Sequence, residues 1–469
     1  RELVATAQLD WRHALLHDGA FAVELAAAGP DSVLHGSAGL LHLRMEVEAG
    51  GDADVEIEMP FTKRDVEEAV EKTARSGADR ARAFYLYARR WWADFTAIDP
   101  LLAQRRVALF AADEAGGHRS VCSFVAPLRA GRLLASPQDA ARFVALLPFE
   151  RAFGVGLRAR QETWHSPAAF LARRAGDVED HAVLLCSLLL GFGLDAYVAV
   201  GTIRGDKVIS AENETTGAEP EDVRDHAWVV TFSRTADGVG LKVSFWESLT
   251  GQRYTLGSKT RSHPYVSVGS VFSDTSFHAN KQRSDRVGRC NWDLNDETAW
   301  KAMDTASLAA LPRPGPGRLL PLRPPTIDAA AEAERIEGIL RTEIATWRAE
   351  YGLKTSFDEG LSYGFSTALE AYELERKHGV SFGLSDFDDA VRRAVPLGHV
   401  FKGYPTCFGH RHAKRMFQSL ADGDVPRAIL AAQGDHVRFA LRARVVAYAE
   451  DAAATWLMLA VRYLPLTEA

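Results

Sequence analysis

The stretch Gly176-Asp177-Val178-Glu179-Asp180-His181-Ala182-Val183-Leu184-Leu185-Cys186-Ser187-Leu188-Leu189-Leu190 decides how this chain is read. Asp177 stands where a helix N-cap belongs, and Asp180 supplies a carboxylate three residues on. The apolar run behind them predicts a helix that stops at Gly191 or Gly193. Downstream, Asp225-His226-Ala227-Trp228-Val229-Val230 alternates like a strand, as does Val243-Ser244-Phe245-Trp246-Glu247. Helix start, strand histidine and strand carboxylate come in the chain order of a thiol–histidine–carboxylate triad. A thiol at a helix N-terminus feels the positive end of the dipole, which favours its thiolate. A histidine on the facing strand takes the proton, and a carboxylate fixes the tautomer of that histidine.

The rest of the composition bounds what surrounds this motif. At 469 residues the chain predicts two to four domains, each able to bury a core. Its 47% hydrophobic and 25% charged residues exclude wholesale disorder and a small disulfide scaffold. Subtracting 62 acidic from 55 basic residues gives −7, which argues against a general nucleic-acid face. Cys122, Cys186, Cys290 and Cys407 lie far apart without Cys-x-x-Cys spacing, so they read as reduced thiols in the cytoplasm. The longest uncharged apolar stretch, Ala182 to Leu194, is too short to span a bilayer. Arg1 in place of methionine reads as the start of an internal fragment.

Working outward, residues 1–60 alternate in short bursts punctuated by Gly19, Gly29-Pro30 and Gly36, as antiparallel strands do. Thr62 to Ile98 reads as one linking helix capped by Thr62, assigned here to residues 61–100. Phe84, Tyr87, Trp91, Trp92 and Phe95 make an aromatic stripe on it, read as a docking stripe in preference to a base-stacking surface. Residues 101–310 mix helices and strands, with Gly205 to Arg224 as an exposed acidic insertion. Leu311 to Pro325 carries six prolines and is the linker. Residues 326–469 then read as a separate α+β domain, with helices near 326–350, 357–377 and 384–394. Strands follow near 436–449 and 454–464. The run His410-Arg411-His412-Ala413-Lys414-Arg415 reads as a solvated helix face, with an anion contact through Arg411, Lys414 and Arg415 as the functional alternative.

The central motif resembles that of the transglutaminase-like superfamily, which has Gly-Asp-Cys-Glu-Asp-His-Ala at the helix start. A His-Ala-Trp strand and a tryptophan-flanked acid follow in that pattern. Trp164-His165-Ser166-Pro167 is similar to the superfamily's lead-in helix. The resemblance assigns the catalytic histidine position to His226 and the acid to Glu247. Val178 stands where the cysteine belongs, and valine has no ionisable group. Cys186 lies further along the same helix, about 12 Å away, too far to substitute.

Further segments narrow the resemblance. Val121 to Leu134, Leu184 to Val200, Phe245 to Gly251 and Trp292 to Glu297 are similar to the centrosomal protein of 76 kDa family. So are Arg392 to Pro396 and Phe401 to Pro405. That resemblance implies an α+β multi-domain chain: the C-terminal strands of a C2 β-sandwich, a linking helix, a transglutaminase-like (papain-like) core and a C-terminal α+β domain. It implies a place at the centrosome, centriole or ciliary base, and a role in restraining extra rounds of centriole duplication. Implied partners are centriolar or ciliary proteins, the distal-end capping complex among them. Acidic tubulin tails and a membrane contact through the C2 domain are further expectations, and nucleic acid is not one.

The expected function is therefore a non-catalytic scaffold whose degenerate cleft binds a peptide. The cleft candidates are Trp164, Asp177, Glu179, Asp180, His181, Trp228 and Trp246. Helix capping explains the acidic cluster equally well, and His226 with Glu247 reads equally well as a buried pair that only holds the fold. The alternative function is a peptidase or amide-cleaving enzyme using His226 and Glu247. No cofactor is expected, and a metal held by His, Glu and Asp is not a recognised ligand spacing here.

Overall fold

This computed structural model describes residues 5–7, 9–12, 19–27, 37–45, 62–114, 116–150, 163–205, 223–235, 240–258, 262–311, 322–379 and 391–465. Strands β1 (Ala5–Thr6), β2 (Ala20–Ala27) and β3 (Ser37–Arg44) pair antiparallel in sequence order. Helix α1 (Lys63–Thr96) starts at a capping box in which Thr62 and Asp65 satisfy each other's backbone N–H groups. Its N-terminal half is largely exposed apart from Val66, and burial concentrates at Phe84, Ala88, Trp91 and Phe95. Trp91 Nε1 donates to the carbonyl of Ala302 at 2.9 Å, and its ring meets Phe277 edge-on at 5.6 Å. The aromatic stripe is thus a docking stripe, and each ring it buries stabilises the junction by roughly 1.5–3 kcal/mol.

The central domain follows. A small hairpin, β4 (Phe110–Ala112) and β5 (His118–Ser120), precedes three helices: α2 (Pro137–Ala145), α3 (Pro167–Arg173) and α4 (Val178–Gly191). Strands β6 (Asp195–Arg204), β7 (Val223–Arg234), β8 (Leu241–Trp246), β9 (Arg253–Thr255), β10 (Tyr265–Phe272), β11 (Phe277–Asn280) and β12 (Trp300–Ala302) complete it. They form one antiparallel sheet in the order β12-β11-β10-β6-β7-β8-β9. Helix α4 is apolar around its whole circumference and is buried from Asp180 to Leu189, as befits a helix wrapped by its domain. Strand alternation gives the sheet two faces. Ala196, Val198, Ala227 and Val229 meet α4, whereas Ala199, Trp228 and Val230 face a second core with Tyr265, Trp292 and Trp300. At the other end of α4 the backbone of Leu128 runs so close that a Cβ on Gly191 would sit 1.7 Å from its carbonyl oxygen.

After α5 (Thr305–Ala309) the C-terminal domain comprises α6 (Ala329–Glu350), α7 (Glu359–Gly364), α8 (Ser366–His378), β13 (Val400–Phe408), α9 (Ala413–Asp422), α10 (Asp424–Leu430), β14 (Asp435–Ala447) and β15 (Ala453–Leu464). Its sheet, ordered β13-β15-β14, carries α6 and α9 on one face and α7 and α8 on the other. The single helix expected near 357–377 is two helices, broken where Phe365 turns inward to the core. Strand β13 escaped the sequence reading because Gly403 and Pro405 look like breakers. Proline is tolerated there because β13 is an edge strand. Of the segment expected as a helix at 384–394, residues 391–394 are helical and the remainder lies outside the described residues. The acidic insertion and the proline-rich linker also lie outside them, at 206–222 and 312–321.

The C-terminal domain has its own cores yet is fastened to the central one. Tyr448, Ala449 and Ala454 join the cluster around α4. Arg142 of α2 forms a two-pronged ion pair with Glu373 of α8, at 2.9 and 2.8 Å, with both residues about 5% exposed or less. Tyr448 Oη and Trp456 Nε1 donate to the same carboxylate. Burial would raise the pKa of Glu373, but Arg142 and these donors hold it below the usual range. Replacing Glu373 by alanine strands the guanidinium, and the expected loss is about 3–5 kcal/mol in urea unfolding. A loss below about 1 kcal/mol would show that the seam does not depend on this pair.

Candidate functional site

Two buried polar groups occupy the region singled out by sequence. The first surrounds the start of α4. Asp177 accepts from the backbone N–H of Asp180 at 3.1 Å, and Asp180 accepts from that of Asp177 at 3.2 Å. Asp180 also accepts from the backbone N–H of His165 at 2.7 Å and from its Nδ1 at 2.8 Å. A Cβ on Gly176 would lie 2.5 Å from Asp180 and 2.7 Å from the Phe170 ring, so only glycine fits beside this pair. His181 is wholly buried, with Nδ1 2.6 Å from the carbonyl of Asp177 and Nε2 3.1 Å from that of Leu147. Burial holds its pKa below the ordinary value even against those two carbonyls.

The second group is built on the sheet. His226 Nε2 lies 2.8 Å from Glu247 Oε2, and Tyr265 Oη donates to the same oxygen at 3.0 Å. The backbone N–H of Leu249 donates to Oε1 at 3.2 Å. Tyr265 stacks on Trp228 at 4.3 Å, with His226 parallel to both. Burial, helped by the charge of Glu247, pushes the Tyr265 phenol well above its usual pKa, so it remains a donor. In the tautomer whose Nε2–H donates to Glu247, Nδ1 is the ring nitrogen left as an acceptor, the geometry of a base and its orienting acid.

The position that the motif assigns to the nucleophile holds no ionisable side chain. Val178 is the first residue of α4, half-buried at the edge of its core, with only methyl groups to present. Cys186 is fully buried, and burial raises its thiol well above the ordinary value, the reverse of an activated cysteine. Alternation also sets His226 with Trp228 on the sheet face opposite the one that meets α4. The two layers adjoin closely enough for the Glu247 charge to act on His181.

The residues expected to line a cleft mostly do not. Trp164 packs between Phe124 and Phe272, at 5.7 and 6.0 Å. Trp228, Asp180 and His181 are buried, and the Trp246 indole N–H donates to Thr231 inside the sheet at 2.9 Å. Trp164, Asp180, His181 and Trp228 are core side chains, packed or bonded within the domain although the Trp228 indole N–H has no hydrogen-bond partner among the described residues, whereas Trp246 also borders a cavity. Asp177 and Glu179 stay half-buried at the helix start. Of the basic run, Arg411 lies 3.6 Å from Glu332, while Lys414 and Arg415 are exposed in the first turn of α9. His165 and Tyr265 were not singled out for these roles: the first stood in the quoted lead-in segment, and nothing local marks the second. Among the described residues no cluster of His, Cys, Asp and Glu could hold a metal ion, and no helix is long and apolar enough to cross a membrane.

Fold and site together define a peptidase-like domain joined to an α+β C-terminal domain. Residues 162–303 match the family described as the CEP76 peptidase-like domain, and residues 325–464 match the centrosomal protein of 76 kDa C-terminal domain. The chain is 40% identical to the centrosomal protein of 76 kDa of Homo sapiens and of Mus musculus, over 98% of its own length and 68% of theirs. For the Danio rerio relative the identity is 41% over the same shares. The chain belongs to the centrosomal protein of 76 kDa family, a family of centrosomal proteins with a peptidase-like domain. It is also similar to a C2 domain-containing protein of Toxoplasma gondii, at 35% identity over 23% of this chain and 5% of that protein.

Buried and half-buried histidines give the central domain a two-sided pH response. Burial alone would lower the pKa of His165, but the bond to Asp180 outweighs it and raises the value. That pairing therefore contributes fully below the unfolded value of about 6.5 and is lost as pH rises through the folded one. His278 on β11 runs the other way: burial lowers it from 6.5 to about 4, so its contribution is lost as pH falls through that window. Unfolding free energy should peak near the unfolded histidine value. His165→Asn should flatten the alkaline decline and leave the acid one; an unchanged alkaline limb would refute the assignment.

Proposed function

We propose that this protein is a non-catalytic centrosomal scaffold that restrains centriole reduplication, with a degenerate transglutaminase-like domain used to bind protein partners. The observation that carries the reading is Val178 at the first position of α4. Acyl transfer through that position needs an atom that can lose a proton and attack, and a valine side chain has none. The surviving half of the triad supports the same reading. His226, Glu247 and Tyr265 satisfy one another inside the domain, which suits a group that holds strands β7, β8 and β10 in place. Centriolar or ciliary proteins are the partners this reading favours, the distal-end capping complex among them. Acidic tubulin tails would be met by exposed cations such as Lys414 and Arg415. A membrane contact through the C2 strands is a separate proposal, tested by pelleting with anionic vesicles.

A second reading keeps the enzyme, because the 2.8 Å contact of His226 with Glu247 retains the geometry of a base and its orienting acid. Incubating the protein with peptide libraries, beside a His226→Ala variant, separates the two. The scaffold reading expects no turnover above buffer from either. Turnover by the wild type that vanishes in the variant would establish the enzyme. In cells depleted of the protein, extra centrioles are expected, and Glu247→Gln should restore their number as fully as the wild type does. Failure of the wild type itself to restore it would sink the duplication role.

A further inference from the structure

A cavity of about 290 Å³ opens at the seam between the peptidase-like and C-terminal domains. Trp246 and Arg253 of the β8–β9 hairpin form one wall, and Tyr372 of α8 with Trp456 of β15 form the other. Tyr372 and Trp456 stack at 5.7 Å, and the Arg253 guanidinium lies over the Trp246 ring at 5.4 Å. The walls are held before any ligand arrives. Trp456 donates its indole proton to Glu373, the residue beside Tyr372 and the buried partner of Arg142. A pocket whose rings are fixed in this way loses little conformational entropy on binding.

The charge of the rim favours an anion. Arg376, Lys377 and His378 close the last turn of α8, where cations complement the helix dipole, and Lys377 is engaged by Asp139. That accounts for those three. It does not account for Arg253, which comes from the other domain and forms no ion pair among the described residues. Glu375 is the sole carboxylate among the lining residues. A basic rim on a chain of net charge −7 concentrates the attraction for acidic ligands at one place. Gln138 and Gln252 add amides able to bond a peptide backbone.

We propose that this seam pocket binds an acidic peptide segment, with a side-chain carboxylate on Arg253 and the adjoining methylenes against Trp246, Tyr372 and Trp456. The inference deepens the scaffold reading and rests on it for the class of partner. It also places the acidic contact away from the α9 run, where Arg411 already faces Glu332.

The test uses the full chain and a fluorescein-labelled octaglutamate peptide, read by anisotropy at low and moderate salt. Binding should weaken with salt. Arg253→Glu should weaken it by roughly tenfold or more, whereas the pair Lys414→Glu and Arg415→Glu should change it less than about twofold. Arg253 is exposed, so an unchanged urea midpoint in its variant separates lost binding from lost folding. Absence of binding to the wild type, affinity unchanged by Arg253→Glu, or loss confined to the α9 variant would each overturn the pocket and leave the scaffold reading standing. Cleavage of the peptide by the wild type would overturn the scaffold reading instead, while the effect of Arg253→Glu on affinity would still decide the pocket.

Discussion

A helix that begins inside a protein must find acceptors for its unpaired N–H groups, and at α4 that demand falls on Asp177 and Asp180. Meeting it creates a second demand, because Asp180 is itself buried and needs donors. His165 supplies two of them, through its backbone and its ring. The approach of Asp180 and Phe170 in turn leaves room only for glycine at position 176. The Gly-Asp-x-x-Asp part of the pattern therefore has a role in folding of its own. Removing the thiol from such a helix start takes away the chemistry and leaves every one of these requirements in force, which is how a peptidase-like motif can stand complete around a valine.

The sheet repeats the lesson. His226 and Glu247 have the spacing of a base and its orienting acid, yet Tyr265 and the Leu249 backbone share the carboxylate, and the Trp228–Tyr265 stack covers the imidazole. A buried carboxylate with three donors stabilises its surroundings whether or not anything reacts nearby. Persistence of two triad positions is thus weak evidence for turnover. The residue at position 178 bears on the question more directly, since acyl transfer through that position needs a side-chain nucleophile that valine lacks.

Much of this was legible in one dimension because it is written in short-range pattern. The capping box spans three residues, the apolar run of α4 spans the helix, and strands β7 and β8 alternate within a few positions. The aromatic stripe of α1 was readable for the same reason. What could not be read is pairing across distance: His165 with Asp180 is a loop closure, and Arg142 with Glu373 joins residues 231 apart. Burial was equally hidden. Trp164 and Trp228 lie next to the motif and so look like cleft walls, whereas their rings are consumed by Phe124, Phe272 and Tyr265. Strand β13 was masked by Gly403 and Pro405, whose breaker character is harmless at a sheet edge.

The same accounting locates where the molecule can still recognise something. A binding surface needs groups that the fold has left partly unsatisfied, held by groups that it has not. Around α4 and Glu247 most polar side chains already have partners among the described residues, the buried Trp228 indole N–H and Ser248 hydroxyl being exceptions, and a ligand there would have to displace good hydrogen bonds. At the seam the two conditions separate. Glu373 takes donors from α2, β15 and the β14–β15 turn, and that network fixes the aromatic walls, while Arg253 lies over a ring and forms no ion pair among the described residues. Rigid walls and such a cation arise there because two domains meet. Neither domain alone carries both, so recognition at the seam depends on the buried ion pair that keeps the domains in register.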